Sequence, residues 1–188
     1  MNEKEWMKEV RRKLENEQKL KNKKLSFFNS RRLPYSSEII SYKNDEPGKT
    51  NLIKYETDLI VCQNLSENEW KPRIIIEGKL NSVTTHTAIT YSQKASTHKN
   101  VHPFLRYGIL IGNRKHYPLP GRLFRHGAHF DFMLSWVGYE PTDQEWEDFI
   151  MVIKAENEYS QQLEEMIFHS RLKNRENYTI LQKKLYLK

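Results

Sequence analysis

Cysteine is nearly absent from this 188-residue chain: Cys62 stands alone, so no internal disulfide can form. The expectation is a protein of a reducing compartment. Long apolar runs are missing too. No stretch approaches the roughly 20 apolar residues that cross a bilayer, and the N-terminal segment lacks the apolar core of a secretory signal. A soluble, cytoplasmic protein is therefore expected. Missing as well are a phosphate-cradling glycine loop, a dinucleotide-binding fingerprint and a nucleophile elbow, which removes the commonest nucleotide-binding and serine-hydrolase readings. Acid is scarce in one region in particular. Residues 71–129 carry 10 basic side chains and a single carboxylate, Glu77. Such a segment suits a polyanion, with its one acid reserved for something local; a solvated basic surface is the plain alternative.

What is present fits one domain. Apolar residues make up 37%, charged residues 29% and aromatics 12% of the chain, polar for a globular protein but too aromatic for general disorder. The net charge is +7, and it is unevenly spread. Residues 130–170 hold 10 acids and one base, the reverse of the segment before them.

Glu3 to Lys24 reads as a helix with a thin apolar stripe of Trp6, Val10 and Leu14, expected to dock on another helix or a partner, or to fray. Residues 1–28 thus form an N-terminal helical extension. Residues 29–50, with Pro34, Pro47 and Gly48, look irregular apart from a helical turn near Glu38–Ser41. Leu59-Ile60-Val61 and Arg73-Ile74-Ile75-Ile76 are short β-branched runs on either side of the polar turn Ser66-Glu67-Asn68-Glu69. A helix is expected from Thr84 to Lys99, a buried strand from Tyr107 to Ile111 and another from Phe130 to Trp136. Thr142 and Glu145 form a capping box that opens a long helix, 142–170. The fold class is mixed α/β: a central sheet flanked by helices, its core at 50–136.

If the two β-branched runs pair as an antiparallel hairpin with Asp58 opposite Glu77, Ile60 falls opposite Ile75 and the hairpin centre lies between Glu67 and Asn68, in the middle of the polar turn. Lys79 shares the face of Glu77 by the strand period of two. Two carboxylates roughly 5 Å apart repel unless a proton or a cation relieves them. Mg²⁺ answers this need, since it takes oxygen ligands and often just one or two carboxylates beside water and phosphate oxygens. Asp58, Glu77 and the Gly78 carbonyl are the candidate metal ligands, with Lys79 beside the reacting phosphate.

The stretch Tyr55-Glu56-Thr57-Asp58-Leu59-Ile60-Val61, followed by Arg73-Ile74-Ile75-Ile76-Glu77-Gly78-Lys79, resembles the PD-(D/E)XK nuclease superfamily of type II restriction endonucleases and repair nucleases. The resemblance covers roughly residues 50–115, and Thr57 stands where the motif's proline would be. It implies a restriction-endonuclease-like fold, Mg²⁺-dependent hydrolysis of double-stranded DNA, metal ligands at Asp58 and Glu77, and a positioning lysine at Lys79. It also implies a further acid on an upstream helix, for which Glu38 is the first candidate and Glu56 the second. In that family the following helix lies beside the active centre, which makes Gln93 and Lys94 candidate phosphate contacts.

The loop from Arg114 and Lys115 through His116 and Tyr117 to Arg122 and Arg125 mixes cations with aromatics, as a loop on DNA would; a plain basic loop is the rival. His126 and His129 are poorly spaced for structural zinc. Asp131 is expected to be structural, with Arg125 as its partner, and Cys62 inert packing. The leading reading is a type II restriction endonuclease or its catalytic subunit, with a homodimer or a heteromeric nuclease as its assembly. The rivals are a non-catalytic nucleic-acid-binding module and the small subunit of a larger nuclease.

Overall fold

In the computed structural model, residues 1–115 and 119–169 are described. Five strands form the central mixed sheet: β1 (Leu25–Phe28), β6 (Leu59–Asn64), β7 (Trp70–Leu80), β8 (Arg106–Gly112) and β9 (Phe132–Ser135), side by side in that order. β1, β6 and β7 are antiparallel neighbours, whereas β7, β8 and β9 run parallel. The parallel crossover from β7 to β8 is made by helix α2 (Thr85–Val101), and α3 (Gly121–His126) lies on the way to β9.

The β-branched runs explain the central strands, which are buried on both faces as parallel and sandwiched strands usually are. One face, carrying Leu59, Val61, Ile74, Ile76 and Leu110, packs under α1 (Glu3–Glu15) and α4 (Asp143–Phe168). The other, with Ile60, Ile75, Tyr107, Ile109 and Ile111, packs under α2 and α3. No described helix is long and apolar enough to cross a membrane.

The expected register holds where the side chains are apolar: Leu59, Ile60 and Val61 face Ile76, Ile75 and Ile74. A bulge after Val61 shifts the remainder by one, so Cys62 faces Pro72. The hairpin then closes through the Leu65 and Ser66 N–H groups on the Glu69 carbonyl.

Two expectations need correction. The N-terminal segment is not helical throughout: α1 ends at Glu15, a 3₁₀ turn follows, and Leu25–Phe28 forms the edge strand β1. The thin stripe of α1 does not fray but docks on the central sheet and shares its core with α4, because Met7 joins Trp6, Val10 and Leu14 in full burial. Four such side chains contribute about 6–12 kcal/mol as an upper bound, at roughly 1.5–3 kcal/mol each. The approach is close. A Cβ on Gly78 would lie 2.4 Å from Met7 Sδ, and one on Gly112 would lie 2.4 Å from the Trp6 ring.

Residues 29–50 are not irregular either. β2 (Arg32–Ile39) and β5 (Thr50–Glu56) form a two-stranded antiparallel ribbon, tipped by the small hairpin of β3 (Tyr42–Lys43) and β4 (Glu46–Pro47). Asn44 and Asp45 turn that hairpin at positive φ, which suits these two residue types. The ribbon is inserted between β1 and β6. Its neck is closed by Ser30 N–H on the Thr57 carbonyl at 2.9 Å and Thr57 N–H on the Arg31 carbonyl at 3.0 Å. Leu33 at its root joins the core under α2.

Candidate active site

Asp58 sits at the step from the ribbon into β6, immediately before Leu59. Its Oδ2 accepts the Gly78 N–H at 2.9 Å, which ties it to the β7 residue next to Glu77. Its carbonyl is held by Asn29 Nδ2 at 2.7 Å. Thr57, just before Asp58, uses what a proline would lack there: its N–H and its hydroxyl both donate to the Arg31 carbonyl.

Glu77 is wholly buried on the α2 face of the sheet. Its Oε1 accepts from Lys94 Nζ at 2.7 Å and from the Tyr107 hydroxyl. Its Oε2 is buried and has no hydrogen-bond partner among the described residues. Burial first, and the Asp58 charge second, push its pKa up to about 7 against the pull of Lys94 and Tyr107.

Lys79 lies on the same face at the end of β7. Its Nζ meets Glu3 Oε2 at 2.7 Å and stands 4.6 Å from the centre of the Tyr91 ring. Burial pulls its pKa down, but the bonds to Glu3 and Tyr91 more than offset that, and the net shift is upward. The group is held as a cation.

Lys94, anticipated near the centre, is there: besides Glu77 it donates to the Glu56 carbonyl at 2.8 Å. Gln93, its neighbour on α2, is exposed and makes none of the bonds at the centre. Glu38 is a correction. It lies on strand β2 rather than on a helical turn, exposed and bonded to Asn51 Nδ2 at 3.0 Å. It is six residues up the ribbon from Arg32, about 20 Å at strand rise. Glu56 is exposed too, 3.7 Å from Lys4.

The acid that reaches the centre from an upstream helix is Glu3, in the first turn of α1. Nothing local in the sequence marks it, because its place depends on how α1 crosses the sheet. Tyr91 and Tyr107 are further site residues that the sequence reading misses. Tyr91 is betrayed by its spacing of three from Lys94 on α2, and Tyr107 by the oddity of a phenol at the start of an otherwise apolar strand.

Of the basic candidates, Arg122 and Arg125 are exposed on α3, which packs beside α2. Lys115 is exposed and Arg114 half-buried just after β8, while His116 and Tyr117 lie outside the described residues. Arg125 is not the partner of Asp131. That carboxylate instead holds Lys99 at 2.9 Å and Arg106 at 3.1 Å and accepts the Tyr107 N–H at 2.7 Å. Cys62 is buried, and burial pushes its thiol up to about 12, so it is inert at neutral pH.

Among the described residues no group of three or more His, Cys, Asp or Glu side chains forms a ready-made metal cage. A hard cation that keeps its water needs less: two carboxylates suffice for Mg²⁺ when phosphate completes the shell. The unpaired, buried Glu77 oxygen beside Asp58 fits that requirement, since an oxygen of this kind is costly until a proton or a cation meets it. No protein-family model matches this chain, and neither a curated protein nor a solved structure is significantly similar to it.

Proposed function

We propose that the chain is a Mg²⁺-dependent nuclease of the PD-(D/E)XK type acting on double-stranded DNA, a type II restriction endonuclease or its catalytic subunit. The observation that carries this reading is the unpartnered, buried Oε2 of Glu77, set beside Asp58 and within two residues of a fixed lysine. The upstream-helix acid Glu3 adds support, as does the mixed sheet in which α2 follows the Asp58–Glu77 hairpin and leads to β8.

Asp58 and Glu77 Oε2 would hold the cation, which lowers the pKa of a bound water and offsets charge at phosphorus. Lys79, kept protonated by Glu3, stabilises charge on the phosphate or orients the attacking water. Lys94 sits on the side from which a phosphate would arrive. Charge is sorted by layer in the same sense. Residues 85–126, containing α2 and α3, have no acid at all, whereas α4 on the opposite face is strongly acidic. DNA is expected on the α2–α3 side.

Incubating supercoiled plasmid with the full chain, in Mg²⁺ or in excess chelator, tests the proposal. Metal-dependent nicking or linearisation is expected, and Asp58→Ala, Glu77→Ala and Lys79→Ala should each lower it by at least about 100-fold while DNA retention persists. DNA retention without cleavage at any metal concentration would leave a nucleic-acid-binding module.

A further inference from the structure

Tyr107 has no part in the scheme above, yet together with Lys94 it holds one oxygen of Glu77 and not the other. The carboxylate sits on β7 opposite Ile109 of β8, and Tyr107, two residues earlier on β8, shares its face of the sheet. The phenol therefore reaches along the sheet and, with Lys94, donates to Oε1, while Oε2 has no partner among the described residues.

The ring cannot swing away. It lies between His98 at 5.8 Å and Phe130 at 6.4 Å, both inclined to it by 27°. Its backbone N–H is held by Asp131, and Asp131 is fixed in turn by Lys99 and Arg106. A chain of contacts thus runs from a charged cluster at the start of β8 to one oxygen of Glu77.

Resting on the metal-dependent reading, we propose that Tyr107 is a positioning residue. By tethering Glu77 Oε1 it presents Oε2 to a divalent cation and thereby sets the affinity for that cation, without touching the substrate. A carboxylate free to rotate would offer either oxygen, and part of the binding energy would be lost in ordering it.

The test uses the full chain and Mn²⁺ as the probe, with free Mn²⁺ read by its electron paramagnetic resonance signal, alongside the Mg²⁺ dependence of plasmid cleavage. Tyr107→Phe keeps the stacked ring and removes one oxygen. It is expected to weaken Mn²⁺ binding by about 10–100-fold, the usual scale for a partner of a metal ligand. The Mg²⁺ midpoint of cleavage should move by a similar factor, with the rate at saturating Mg²⁺ kept within a few-fold. In a Glu77→Gln background the same change should have no further effect on Mn²⁺. Unchanged Mn²⁺ affinity, or a rate lost at every Mg²⁺ concentration with an unmoved midpoint, would overturn the inference. If Tyr107→Phe fails to fold, Glu77→Asp substitutes: it keeps the charge but withdraws it from the phenol, and affinity equal to wild type would overturn the inference equally. Failure of the wild-type chain to bind Mn²⁺ is a different result, since it removes the metal itself.

Discussion

Glu3 and Lys79 are 76 positions apart, and their side chains meet at 2.7 Å. Glu3 also accepts the Leu80 N–H at 3.3 Å, so one carboxylate fixes both the ammonium and the end of the strand that carries it. The pair links α1 to the end of β7. Glu3→Ala should therefore reduce plasmid cleavage by about 10–100-fold, as removal of a positioning partner does. Because Glu3 is 44% exposed, thermal stability should change by less than about 1 kcal/mol. A large drop in stability with cleavage per folded molecule intact would assign Glu3 to the fold instead.

The buried Glu77 makes a pH prediction with a definite sign. Its pKa is pushed from 4.5 up to about 7 in the folded chain, so the folded state holds the proton more tightly than the unfolded one. The associated stability is complete below about pH 4.5 and is lost as pH rises through 7, roughly 3 kcal/mol in all. His98 works the other way. Burial lowers its pKa from 6.5 to about 4, so its contribution is present above 6.5 and fades as pH falls. Comparing wild type with Glu77→Gln cancels the histidine. Urea unfolding between pH 4.5 and 8 should find the variant gaining on wild type steadily with pH. A pH-independent difference would mean that Glu77 is not desolvated as described.

Gly78, between Glu77 and Lys79, is a packing requirement. Gly78→Ala places a Cβ against Met7 and should cost about 1–3 kcal/mol. Met7→Ala alone should cost about 2–5 kcal/mol. The double variant should be less destabilised than the two together, since each change relieves the other. Strict additivity in denaturant titrations would show that the two residues do not press on each other.

Arg122 and Arg125 carry the prediction for DNA. Changing both to Glu should weaken DNA binding without altering the Mn²⁺ affinity of the centre. The slope of log K against log salt should become shallower by about 0.9 for each phosphate that is no longer neutralised. An unaltered slope would remove α3 from the DNA-facing surface.

The sequence reveals most where side-chain chemistry and strand period agree. Ile60 against Ile75, and with them Asp58 beside Glu77, follow from β-branched alternation around a polar turn. The ribbon is hidden because Pro34, Pro47 and Gly48 read as breakers. In fact Pro34 lies next to a bulge, and Pro47 sits in the tip hairpin, where a missing N–H matters little. β1 escapes notice because four residues, Leu25 to Phe28, directly follow a charged segment that looks helical. Glu3 cannot be read locally at all, and Tyr107 only as an odd phenol without a visible target. One arrives by the crossing of a helix over the sheet and the other by a parallel register across a 17-residue helix, and both are decided by tertiary packing.

The neck at Ser30, Arg31 and Thr57 makes everything between it a self-closed excursion from the sheet. Beyond its Leu33 root, the excursion's outer half contributes no side chain to either hydrophobic core. Its length and composition can therefore drift, be trimmed or be exchanged with little consequence for Asp58, which is anchored separately through Gly78 and Asn29. The molecule has in effect a replaceable cassette rooted one residue from Asp58, the kind of place where a surface can vary while the scaffold stays constant.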